Sequence, residues 1–160
     1  MSTPQFSRIP SVFLLATALL VCNAVFAVQS GQVDDFEDGT PQGWQEGPTS
    51  PNPPIATDSD APLPGGTYSL ENQSSGGVGA GSRWAMFNNQ ARWQGDYITA
   101  GIVEIRMWAQ VRSGNPSANI RVGFQSSSGG QIVSTDAVVV PVGGDWYRIS
   151  LPVGPGDMTV

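Results

Sequence analysis

The chain has 160 residues, with thirteen acidic side chains, seven arginines, no lysine and no histidine. That composition excludes Ser-His-Asp triads, His-ligated zinc, lysine Schiff bases and Walker-type phosphate loops, and it leaves only oxygen ligands for any metal. Beyond Ala27 six arginines stand against thirteen acids, a formal net charge of −7, so no basic patch exists to neutralise nucleic-acid phosphates.

The first segment reads as an export signal. Arg8 supplies a positive start, Ile9 to Ala27 is mostly apolar, and Val25-Phe26-Ala27 predicts cleavage after Ala27. A retained membrane anchor is the alternative, because the apolar run approaches the ~20 residues of a spanning helix. A lipoprotein reading through Cys22 is weaker, since bulky Val21 precedes it. Residues 28–160 are one domain's length, enough to bury a core. Cys22 is the single cysteine and leaves with the signal. An exported domain without disulfides points to a bacterial protein, secreted or held at the cell surface.

The mature part opens on Asp34-Asp35-Phe36-Glu37-Asp38-Gly39-Thr40-Pro41-Gln42-Gly43-Trp44. This predicts a first strand that buries Phe36 and holds carboxylates at its end, an arrangement suited to a hard cation. Gly47 to Gly66 carries six prolines and predicts an extended surface loop. Thr67–Glu71 is a candidate strand. A glycine-rich segment from Ser74 to Ser82 follows, then candidate strands at Arg83–Asn88 and Tyr97–Thr99. Ile102–Val111 has the clearest period of two: Val103, Ile105, Met107, Ala109 and Val111 on one side, Glu104, Arg106, Trp108 and Gln110 on the other. Asn119–Ser126, Gln131–Val140 and Asp145–Leu151 complete the strands, with turns at Ser113–Pro116, Ser128–Gly130 and Gly143–Asp145. Short strands at this spacing, without a helical period, predict an all-β sandwich.

The order of these features resembles the galactose-binding-like jelly roll of carbohydrate-binding modules. Such domains open with Phe-Glu-x-Gly and then Gly-Trp, as in Phe36-Glu37-Asp38-Gly39 and Gly43-Trp44. They continue with Gly-x-Tyr-Ser-Leu, similar to Gly66-Thr67-Tyr68-Ser69-Leu70, then a long alternating strand, then one beginning with Trp, as in Trp146-Tyr147-Arg148-Ile149. A second, narrower resemblance lies in Trp93-Gln94-Gly95-Asp96-Tyr97-Ile98-Thr99-Ala100-Gly101-Ile102. It is similar to a segment of exported bacterial proteins with a sorting tail of the Pro-Glu-Pro type, a tail not found in this chain. The jelly-roll class usually finishes with Ile-Asp-Asp-Val, whose Asp helps to hold calcium. This chain reaches Gly156-Asp157-Met158-Thr159-Val160 instead, so the resemblance predicts a jelly roll truncated before its last strand.

The resemblance implies calcium at Glu37, with Asp35 and Asp38 adding ligands and carbonyls near Gly65–Thr67 completing the set. The competing reading is a solvated acidic segment. Asp58-Ser59-Asp60 lacks the spaced Gly and distal Glu of an EF-hand loop. For carbohydrate, the residues selected are Trp84, Trp93, Tyr97, Arg106 and Trp108: sugar rings stack on aromatic faces while their hydroxyls seek polar groups. Packing inside the fold is the competing role for each aromatic. No motif joins two carboxylates across a cleft, and Gly77–Ser82 has no lysine, so catalysis is not expected. The expected function is a secreted, non-catalytic module that binds a polysaccharide or cell-surface glycan. A structural or adhesive bacterial ectodomain and a fragment of a larger glycoside hydrolase are the alternatives.

Overall fold

The structure, a computed structural model, describes residues 27–47, 50–62, 66–74 and 85–160. The signal segment up to residue 26, the glycine-rich segment from residue 75 on and the Arg83-Trp84 pair lie outside the described residues. The described residues form eleven short strands, one 3-10 turn and no α-helix, an all-β chain. None of their segments is a helix long and apolar enough to cross a membrane.

Strand β1 (Trp44–Gln45) pairs with β4 (Phe87–Asn88), and β2 (Ile55–Thr57) with β3 (Ser69–Glu71), both antiparallel. The long pair is β5 (Glu104–Gln110) with β10 (Trp146–Pro152), seven residues against seven. Strand β6 (Ala118–Ile120) pairs with β9 (Val138–Val140). The remaining sheet has β8 (Gln131–Ser134) between β7 (Gly123–Gln125) and β11 (Met158–Thr159).

The core joins two of these pairs. Val111, Ala118, Val140 and Ile149 are buried together, with Met107, Ala109, Ile120, Val138 and Tyr147 packed against them. In the β5–β10 register Ile105 faces Leu151, Met107 faces Ile149 and Ala109 faces Tyr147. These are the apolar positions of the period-2 pattern, so the alternation in sequence is the inside-outside alternation of the sheet. Val103 departs from it and is exposed, because it precedes the ladder. Val140 and Leu151 are the most completely buried large side chains, and each such burial is worth about 1.5–3 kcal/mol.

Several predicted strands take other forms. The opening acidic segment is not a strand: Phe36 has φ +61° and is only half-buried, in a run of turns. Asx-type bonds cause this, with Asp35 Oδ1 accepting from the Glu37 N–H at 3.2 Å and Asp38 Oδ1 from the Thr40 N–H at 2.9 Å. Tyr97–Thr99 is also a turn, because Asp96 accepts from the N–H and hydroxyl of Thr99 while Ala100 N–H reaches the Asp96 carbonyl.

Asn119–Ser126 divides into β6 and β7, which belong to different sheets. At the break the Arg121 guanidinium donates to the carbonyls of Ser134 and Thr135. Gln131–Val140 divides in step, into β8 and β9. The proline-rich segment contains β2, whose three residues are free of proline and, among the described residues, pair only with β3. This is the edge placement that proline-flanked strands require. The C-terminal segment, expected to be a loop with no closing strand, turns at Gly154–Asp157 and then pairs Met158 with Ser134 and Thr159 with Val133.

The first described residues are tied to the fold through Val28. Its side chain is buried and its N–H donates to the Gln94 carbonyl at 2.8 Å. Gly95 permits this approach: its φ is +139°, and a Cβ there would stand 3.2 Å from Val28 Cγ1.

Leu151→Ala should lower unfolding free energy by about 2–5 kcal/mol in a urea titration, through lost transfer energy and a cavity in the core. A change under 1 kcal/mol would show that the β5–β10 inner face is not the core.

Candidate functional site

Two polar constellations stand out, and they do different things. The first centres on Asp34. Its carboxylate is almost wholly buried, with 5% of the side chain exposed, and it forms an ion pair with Arg92. Oδ2 accepts from the indole N–H of Trp44 at 2.6 Å and from that of Trp93 at 2.8 Å. The two indoles meet edge to face, with centroids 6.0 Å apart. The carbonyl of Gln42 accepts from Asn88 Nδ2 at 3.0 Å and Arg92 Nη2 at 3.3 Å.

Two backbone features bring these groups together. Gln42 and Gly43 both lie at positive φ, which turns the chain sharply into β1 and points Trp44 at Asp34. The 3-10 turn Ala91–Trp93 presents Arg92 and Trp93 together. Buried carboxylates need charge and hydrogen-bond partners, and this one has both. Sequence reasoning passed over Asp34 because its partners lie ten and 59 positions away. The one available signal was the pairing of an acid with Gly-Trp in the opening segment.

The carboxylates selected for calcium have separate tasks. Glu37 accepts from the N–H groups of Thr67 at 2.9 and 3.0 Å and Tyr68 at 3.1 Å. Asp35 accepts from the Gln42 side chain as well as Glu37 N–H, and Asp38 from Thr40. The Thr40 hydroxyl and N–H hold the Asp38 carboxyl below the usual carboxylate range. Calcium takes six to eight oxygens. Here Glu37 faces N–H donors, and among the described residues no three acidic groups converge. Among the described residues the three carboxylates engage separate donors and do not converge on one centre. Pro64 and Gly65, from the loop expected to add carbonyls, lie outside the described residues.

The residues selected for carbohydrate separate in the same way. Trp84 lies outside the described residues. Trp93 and Tyr97 are half-buried and turned to structural partners: Trp93 to Asp34, and Tyr97 through its hydroxyl to the Trp93 carbonyl at 2.8 Å and through its ring to Phe124 at 4.5 Å. Burial pushes the Tyr97 hydroxyl above its usual pKa.

Arg106 and Trp108 point outward from β5 and belong to the second constellation. Its cross-strand pairs are Trp108 with Arg148, Gln110 with Trp146, and Arg106 with Ser150. Trp108 is 39% exposed. Asp60 reaches this face from the proline-rich segment, accepting from Gln110 Nε2 at 2.6 Å and Trp146 Nε1 at 3.2 Å. Glu104 accepts from Arg106 and from the Ser150 hydroxyl. Those donors, Gln110 then Trp146 for Asp60 and Arg106 then Ser150 for Glu104, hold both carboxyls below the usual range. The face therefore presents one open indole surface framed by ordered donors and acceptors. The alternation of Ile102–Val111 and Asp145–Leu151 located Trp108, Arg106, Trp146 and Arg148 on it. Asp60, 86 positions from Trp146, carried no local signal.

Asp34→Ala should cost about 3–5 kcal/mol, since Arg92 and two indole N–H groups lose their buried acceptor. Tryptophan emission during urea unfolding would report it, and a loss below 1 kcal/mol would remove Asp34 as the node. Acid should also destabilise the fold. Asp38, Asp60, Asp96 and Glu104 all have depressed folded-state values. Their contribution is complete above the ordinary carboxylate values near about 4 and is lost as pH falls through the lower folded-state values. Melting temperature should therefore decline as pH falls from about 5 to 3, and a flat profile would contradict these hydrogen bonds.

Comparison with family models, with curated proteins and with solved structures finds no match to this chain.

Proposed function

We propose that the chain is a secreted, non-catalytic carbohydrate-binding module of jelly-roll type, and that its sugar site is the outer face of β5 and β10. The observation that carries this reading is Trp108, an exposed indole on the polar side of a long ladder. An apolar sugar face stacks on such a ring, while Arg106, Gln110 and Asp60 offer donors and acceptors for hydroxyls. The jelly-roll assignment rests on the motif order in the sequence and is supported by antiparallel pairs sharing one core. Export and a bacterial surface location rest on the signal segment and the cysteine-free domain. Calcium at Glu37 would require its carboxylate to exchange the Thr67 and Tyr68 N–H groups for oxygen ligands.

A specific observation favours the second reading, an adhesive or structural ectodomain without a sugar site. Trp93 and Tyr97 serve the Asp34 node and the Phe124 contact, so fewer aromatics are free for ligand than the sequence offers.

A glycan array followed by polysaccharide pull-down separates the two. Trp108→Ala should weaken binding at least tenfold, about 1.4 kcal/mol, while leaving the melting temperature within a few degrees. Binding unchanged by Trp108→Ala would move the site elsewhere. No binding to any glycan, with or without calcium, would favour the adhesive reading.

A further inference from the structure

The second constellation also indicates what kind of sugar it takes. Five arginines lie among the described residues, and four of them are committed. Arg92 is paired with Asp34, Arg106 with Glu104 and Arg112 with Glu71, and Arg121 donates to two carbonyls. Arg148 has no hydrogen bond or ion pair to any described residue, is exposed, and stands directly across the ladder from Trp108. Directly opposed residues of an antiparallel pair have Cβ atoms about 4.5–5.5 Å apart.

Two carboxylates bonded to this face, Asp60 and Glu104, each already accept from two side-chain donors, and the charge of Arg148 acts on Glu104 without forming an ion pair with it. The face therefore has acids already bonded to side-chain donors, one open indole and one guanidinium with no hydrogen bond or ion pair to any described residue. A guanidinium is a rigid planar fork that pairs two-pronged with a carboxylate or sulfate and gains less from a single hydroxyl.

We infer that the glycan bound over Trp108 carries an acidic group, a uronate carboxylate or a sulfate ester, and that Arg148 is its partner. This rests on the carbohydrate reading above. The net charge of −7 beyond Ala27 repels a polyanion at long range, so the fitting ligand carries isolated acidic groups on an otherwise neutral chain. Glu104 and Asp60, framing the guanidinium, act against a second acidic group close by.

The test uses a glycan array with matched neutral, uronate-bearing and sulfate-bearing members, followed by calorimetry on the best trio. The uronate or the sulfate member should bind at least tenfold tighter than its neutral counterpart, and which of the two does so identifies the acid. Arg148→Gln should abolish that preference while neutral binding persists, and Arg148→Lys should restore part of it. Trp108→Ala should weaken all three alike. Equal affinity for acidic and neutral members would overturn the inference and leave the carbohydrate reading intact, as would an acid preference that survives Arg148→Gln. Failure of every member to bind would remove both. Arg148 is exposed, so an unchanged thermal melt is the check that its variants are folded.

Discussion

The register between β5 and β10 is the constraint on which the rest of this molecule depends. Seven consecutive residues of one strand oppose seven of the other, and the side-chain period of two divides them between two environments. Met107, Ala109 and Ile149 meet the core and Leu151 is buried beside partly buried Ile105, while Arg106, Trp108, Trp146 and Arg148 share the outer side. A slip of either strand by one residue would turn over its side chains, burying Arg106 or Arg148 and exposing that strand's apolar set. The apolar face thus enforces the geometry of the polar one. Trp108 and Arg148 are neighbours because Met107 and Ile149 are.

Electrostatics plays opposite parts at the two constellations. At Asp34 a charge is removed from water, which is tolerable only with Arg92 and two indole donors at hand. Because those partners come from β1 and the 3-10 turn, the buried carboxylate joins segments that have almost no apolar core of their own. At Asp60 and Glu104 the charges stay at the surface, where each hydrogen-bond set orders side chains and adds a small, pH-dependent increment to stability. The first arrangement serves the fold and the second serves presentation. A chain with thirteen acids can thus use one as a structural centre and others as the frame of a surface.

Legibility differed along the chain for physical reasons. The strand at Ile102–Val111 and that at Asp145–Leu151 were readable because a half-buried ladder imposes its period on the sequence. The stretch from Asn119 to Val140 was not, since it looks equally apolar whether it forms two strands or four. The breaks come from Arg121 reaching across to Ser134 and Thr135, a contact no window of sequence contains. The opening acidic segment misled in another way. Its Asp and Thr side chains compete for backbone N–H groups and fold it into turns, where its Phe and Trp alone would favour a strand. The set selected for carbohydrate included Trp108 and Arg106, which stand on the exposed side of β5. It also included Trp93 and Tyr97, whose donors the fold consumes.

The sequence by itself determined the all-β class, the acidic surface, the absence of histidine and lysine chemistry, and which side of the longest strand faces the core. These follow from composition and from nearest-neighbour periodicity, which act within a few residues. Tertiary structure alone decided that Asp34 is a buried centre, that Glu37 faces N–H donors, that Asp60 supports Trp146, and that Arg148 is left uncommitted beside Trp108. Each of those depends on groups ten to 86 positions apart. Whether a charged side chain is satisfied or open depends on what the folded chain brings within about 3 Å of it.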